Sequence, residues 1–192
     1  PDEFGVYRDH QAGLAHARLS IIDLASGQQP LTNERGTLWI TFNGEIFNYL
    51  ELRADLVARG HQFKTRSDTE VIVHAYEEWG VEAFRRFNGQ WAIGLWDTER
   101  RELVLARDPF GVRPLYVTEH AGRLAFASEV KALFAGDPTL PRRLDPAGLE
   151  AHAGEGGDRQ RQIVEGFLAP ACRDRDLLGQ DADAAAAGLR GG

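Results

Sequence analysis

Asn43-Gly44-Glu45 are the residues whose order is most suggestive of chemistry. They follow an alternating, strand-like run over residues 38–42. A side-chain amide beside a backbone N–H that carries no Cβ can converge on one oxygen, which is how an oxyanion hole is built. Glu45, next in line, is a candidate to hold a cationic group. Taken as local structure alone, the Asn-Gly pair marks a turn at the end of a strand. Arg18 is a second candidate. It shares the more polar face of a strand with His16 and Ser20, and a guanidinium pairs bidentately with carboxylates. Asp68 is a third, in the first turn of a helical pattern after Ser67. An acid there complements the helix dipole or receives a substrate ammonium. Two acids, one arginine and an amide–glycine pair suit an α-amino acid with a side-chain carbonyl. The six histidines show no ligand spacing, so no metal is expected, and no glycine-rich phosphate loop occurs. The single cysteine, Cys172, has no positioned base and reads as inert.

The elements that must position these residues are legible from periodicity. Residues 5–9 and 14–22 read as two strands around a turn, with Leu14, His16, Arg18 and Ser20 on one face of the second. A helix after Asn48 has Tyr49, Leu52 and Leu56 as its stripe, Glu51 as a capping-box partner and Gly60 as its stop. A second helix follows Ser67, with Glu70 completing another capping box, and buries Val71, Ile72, Ala75, Tyr76 and Trp79. Residues 91–97 and 102–107 form a hairpin that is apolar on both faces, so both faces of its sheet must be covered. Residues 114–118 and 123–127 pair around Gly122, and Ser128 caps a short helix to Phe134. Hairpin-linked strands and two sequential helices, with no repeating βαβ alternation, predict antiparallel sheets under helical layers.

Composition sets the outer limits. The 192 residues are 43% apolar and 27% charged, as in a globular protein with a sizeable core. A net charge of −7 argues against a nucleic-acid footprint, and no apolar run is long enough to span a membrane. One cysteine permits no internal disulfide, so a cytoplasmic location is expected. After residue 146 the text changes: 19 of the last 46 residues are Ala or Gly. Residues 147–192 are therefore expected to be a poorly ordered tail beyond a domain over 1–146.

"LAHARLSIIDLASGQQPL" (14–31), "FNGEIFNYLELRADL" (42–56), "TRSDTEVIVHAYEEWG" (65–80), "FNGQWAIGLWDTERRELVLARDPFGVRPLYV" (87–117) and "FASEVKALF" (126–134) together resemble the glutaminase domain of asparagine synthetases. These are class II glutamine amidotransferases. The resemblance covers about residues 1–145 and keeps motif order and spacing. It implies an α+β fold, a four-layer αββα sandwich of two antiparallel sheets of the N-terminal-nucleophile hydrolase type. It also implies roles. Arg18 grips the α-carboxylate of glutamine, and Leu19, Ile21 and Ile22 line the pocket. Asn43 and Gly44 form the oxyanion hole, while Glu45 and Asp68 bind the α-ammonium. The domain itself is expected to need no cofactor.

Two departures qualify the resemblance. The family's nucleophile is an N-terminal cysteine whose own amine is the base. Pro1-Asp2 match the end of a motif that lies downstream of it, so this sequence is expected to lack that cysteine and the first strand, and to be inactive alone. The pyrophosphate loop of the ATP- and magnesium-using synthetase domain is also missing from this text. Glutamine, a synthetase domain and a possible homodimer are the implied partners. An amidotransferase of the same architecture with another acceptor, or a non-catalytic remnant, is the alternative.

Overall fold

A computed structural model describes residues 3–18, 28–142 and 169–170. The chain enters with β1 (Glu3–Arg8) and β2 (Gly13–Arg18), an antiparallel hairpin in which Leu14 faces Tyr7 and Arg18 pairs with Glu3. β3 (Leu31–Thr32) and β4 (Leu38–Ile46) follow, then α1 (Tyr49–Ala58), α2 (Asp68–Trp79) and a 3-10 turn, Gly80–Arg86. β5 (Gly89–Asp97) and β6 (Glu102–Arg107) make the central hairpin. β7 (Tyr116–His120), β8 (Arg123–Ala127) and α3 (Val130–Gly136) complete the body, and β9 (Ala169–Pro170) pairs with the outer edge of β6. The main sheet runs β3-β4-β5-β6-β9, with antiparallel neighbours throughout.

The expected covering of this sheet on both faces follows strand alternation residue by residue. In β6, Val104 and Ala106 join the core shared with Leu56, Ile72 and Val73 of the helices. Leu103 and Leu105 join a second core with Leu14 and Trp96, against which Tyr7, Leu124 and Phe126 of the two hairpins pack. Each fully buried aliphatic side chain of these layers contributes about 1.5–3 kcal/mol. The layer opposite the helices consists, among the described residues, of the two hairpins β1–β2 and β7–β8.

Several local readings change. The strand read at 38–42 continues to Ile46, with Asn43 opposite Ala92 and Gly44 opposite Trp91, so the Asn-Gly pair lies inside a strand and makes no turn. Asn48 precedes α1 without capping it. Its side chain donates to Arg86 O at 2.9 Å and accepts from Asn88 N at 2.9 Å, tying the helix start to β5. Ser67 caps α2 through Thr69 N at 3.2 Å, but Glu70 does not return the bond. It accepts instead from Lys64 N at 2.7 Å and from Thr65 N and Oγ1, each at 2.6 Å, clamping the α1–α2 link. The α2 helix is buried all round from Thr69 to Tyr76 rather than along one stripe, because the sheet, α1 and the 3-10 turn all pack on it. The last helix starts one residue late, at Val130, with Glu129 rather than Ser128 at the cap position. No helix among the described residues is long and apolar enough to cross a membrane.

Candidate active site

The last turn of β4 and the first turn of α2 meet at the site. Gly44 has φ +152°, and a Cβ there would lie 2.1 Å from Gln90 O and 2.7 Å from Trp91 Cα. No other residue fits that close approach of two strands. Opposite Gly44, the backbone of Trp91 is fully engaged elsewhere: its N–H donates to Asp108 Oδ2 at 3.1 Å and its carbonyl accepts from Asp108 N at 2.8 Å. In an antiparallel ladder the bonded and non-bonded pairs alternate. Gly44–Trp91 is therefore a non-bonded pair, and the Gly44 amide points away from β5.

That edge of β4 carries a row of amides with the same direction. Phe42 N donates to Gln29 Oε1 at 2.7 Å. Ile46 N donates to Asp68 Oδ2 at 3.0 Å. Gly44 N lies between them, bracketed by two satisfied donors. By alternation, Asn43 and Glu45 project from the sheet face that carries Trp39, toward the hairpin layer. Asn43 is half-buried and Glu45 is exposed.

Asp68 and Glu45 interact electrostatically. Burial pushes the Asp68 carboxyl above its ordinary value, the amides of Ile46 and Thr69 and the Ser67 hydroxyl oppose that, and the charge of Glu45 adds to the rise. An acid whose proton affinity is raised by burial and by a neighbouring carboxylate is poised to take up a cation. Together the edge offers an N–H turned away from β5, a neighbouring carboxamide and two acids.

Arg18 is the last residue of β2 and is described through its backbone. The hairpin that bears it abuts the site's support: a Cβ on Gly5 would lie 1.8 Å from Gln29 O, so β1 packs directly on the segment that holds Phe42 N. Leu19, Ile21, Ile22 and Cys172 lie outside the described residues, as does the tail from 147 apart from 169–170.

Reasoning from the sequence missed two supporting residues. Gln29 is buried and bridges β4 to Thr69 Oγ1 of α2 at 3.4 Å. Its partners are 13 and 40 residues away, beyond any local pattern. Asp108 organises residues 108–113, to which no chemistry is assigned. Its carboxylate accepts from the amides of Trp91, Phe110, Val112 and Arg113 at 3.0–3.2 Å. Burial would raise this carboxyl, but the four amides outweigh it and hold it below the usual range. Asp108 thereby engages the Trp91 backbone on the side away from Gly44.

The fold is an antiparallel α+β sandwich that holds a backbone amide and an acid pair near one strand edge. The chain belongs to the glutamine amidotransferase domain family, whose description matches residues 1–162. Among its relatives, asparagine synthetase [glutamine-hydrolyzing] 2 of Bacillus subtilis is 46% identical over 145 residues, 76% of this chain and 19% of that protein. Asparagine synthetase [glutamine-hydrolyzing] 3 of the same organism is 40% identical over 161 residues, 83% of this chain and 26% of that protein. The chain thus spans about a fifth to a quarter of these relatives. The solved glutamine phosphoribosylpyrophosphate amidotransferase of B. subtilis, complexed with ADP and GMP, is 28% identical with a TM-score of 0.55, covering 64% of this chain and 28% of that one. The fold is that of the N-terminal-nucleophile amidotransferases.

Proposed function

We propose that this domain binds glutamine at the β4 edge and stabilises the transition state for removal of its side-chain amide nitrogen. The observation that carries the reading is the Gly44 amide, held between the Phe42–Gln29 and Ile46–Asp68 bonds and turned away from β5. A thiolate nucleophile adding to the glutamine carboxamide carbon places negative charge on its oxygen. The Gly44 N–H and the Asn43 carboxamide are the donors for that oxyanion. Collapse of the intermediate releases ammonia, and water then cleaves the acyl–sulfur bond to give glutamate. Glu45 and Asp68 hold the α-ammonium, and Arg18 the α-carboxylate. The described residues include no cysteine and serve binding and charge stabilisation.

We further propose that the ammonia serves amide formation on aspartate in a cytoplasmic asparagine synthetase. Identities of 40–46% to enzymes of that name, against 28% to the phosphoribosylpyrophosphate amidotransferase, favour this acceptor. ATP and magnesium belong to the synthetase partner domain on this reading, and homodimerisation is its further expectation. Calorimetric titration of the 192-residue chain with glutamine tests the site. Saturable binding that weakens at least ~10-fold in Asn43→Ala, and does not occur with leucine, is expected. Equal affinity for glutamine in the wild type and Asn43→Ala would show that the Asn43 carboxamide does not touch bound glutamine.

A further inference from the structure

Farther along α2, four side chains from three segments converge. Glu34 comes from the turn before β4, His61 from the α1–α2 link, and His74 and Glu77 from α2. One ligand atom from each can be chosen so that all lie within 4.8 Å of one another. His74 is fully buried, and neither of its ring nitrogens makes a hydrogen bond of good geometry, the nearest acceptors being carboxylates at 3.4 and 3.6 Å. An unsatisfied buried imidazole costs about 1–3 kcal/mol, so a group that would satisfy it is expected.

The two rings have the same arrangement. His74 Nδ1 faces Glu34 Oε2 at 3.4 Å, while its Nε2 faces Glu70 Oε1 at 3.6 Å. His61 Nδ1 faces Glu34 Oε1 at 3.8 Å, while its Nε2 faces Glu78 Oε2 at 3.5 Å. The 3.8 Å inner contact exceeds a hydrogen bond and the 3.4 Å one lacks hydrogen-bond geometry, and each ring has an outer carboxylate behind it. That is the carboxylate–histidine pairing that orients metal-binding imidazoles. The outer Glu70 is itself fixed by Lys64 N and Thr65 N. Glu77 is steadied by Asn33 Nδ2 at 3.2 Å and Arg35 Nε at 3.2 Å.

We propose that Glu34, His61, His74 and Glu77 bind one divalent transition-metal ion, zinc by ligand type. Two neutral imidazoles and two carboxylates balance its charge, and nitrogen and oxygen donors in fourfold number suit tetrahedral zinc. Bonds of about 2.0–2.2 Å place tetrahedral donors about 3.3 Å apart, so the side chains close by an ångström or so around the ion. An open hollow of about 300 Å³ lined by Glu34, His61 and Glu77 gives the ion a way in. The ion would staple the β3–β4 turn and the α1–α2 link to α2. This ligand set has no sequence spacing because three separate segments supply it.

The test is equilibrium dialysis of the metal-stripped 192-residue chain against zinc chloride, with bound metal measured by mass spectrometry, and the visible spectrum after cobalt(II) substitution. One equivalent of zinc and the intense bands of four-coordinate cobalt are expected. His61→Gln and Glu77→Gln, both at partly exposed positions, should each weaken binding at least ~10-fold. His10→Gln, an exposed histidine outside the cluster, should leave it unchanged. Substoichiometric binding, octahedral cobalt spectra, or zinc affinity indifferent to both His61→Gln and Glu77→Gln would overturn the proposal.

Discussion

Asp68→Asn separates the binding role of Asp68 from any structural one. The carboxamide keeps an oxygen to accept the Ile46 amide, now 3.0 Å from Oδ2, and removes only the charge. In the wild type that charge is half-buried and faces Glu45, and burial first, then Glu45, raises its proton affinity. Loss of a charged hydrogen bond to the α-ammonium costs about 1.5–3 kcal/mol, so glutamine affinity should fall by about 10- to 150-fold. Stability should move the other way. Removing a partly desolvated acid leaves the variant equal to the wild type or up to ~1 kcal/mol more stable at neutral pH. The folded chain holds the Asp68 proton more tightly than the unfolded chain does. Its ionisation therefore costs stability as pH rises from the ordinary aspartate value of about 3.9 through the raised one, and the variant's advantage vanishes below about pH 4. Urea unfolding followed by fluorescence of the four tryptophans at pH 4 and pH 7, with glutamine calorimetry at pH 7, reads both quantities. A variant that binds glutamine as the wild type does, or that loses more than ~1 kcal/mol at pH 7, would show that Asp68 is a structural cap and no part of a binding site.

Other substitutions probe the frame around the site. Gly44→Ala forces a Cβ to within 2.1 Å of Gln90 O at φ +152°, and should destabilise by about 3 kcal/mol or more in urea melts. A loss under ~1 kcal/mol would mean that the strand can relax there. Asp108→Ala orphans four backbone amides and should cost about 3 kcal/mol, while the shift of the Trp91 indole signal in NMR reports its effect on β5. Glu70→Gln tests the acid limb of stability. Burial would raise this carboxyl, but the His74 ring and the donors of Lys64 and Thr65 hold it down at about 2. Its contribution is full above the ordinary glutamate value of about 4.3 and fades as pH falls toward 2, so the wild type's advantage over Glu70→Gln should shrink across that window. An advantage independent of pH would contradict this.

Much of the frame was legible because it obeys local periodicity. The β5–β6 hairpin is apolar on alternate positions of both faces, and its residues divide between the two cores as alternation requires. The α1 stripe at Leu52 and Leu56 and the stop at Gly60 are local as well. What escaped depends on long-range placement. The Asn-Gly pair carries the signature of a turn, yet pairing with β5 over nine residues overrides it and turns the glycine's freedom to a different use. Asn48 and Glu70 have capping residue types at capping positions, but partners at 86–88 and 64–65 compete successfully for their side chains. His74 lies within the helix that the sequence predicts, and only packing on every side buries it fully.

The Gly44 amide decides the site. Proton–nitrogen correlation spectra of the 15N-labelled chain, recorded as glutamine is added, follow it directly. A saturable downfield shift of the Gly44 amide proton, with smaller shifts at Phe42 and Ile46 and none of this size with glutamate, is the expected outcome. A Gly44 resonance that stays in place while glutamine saturates the chain elsewhere would contradict an oxyanion site at the β4 edge.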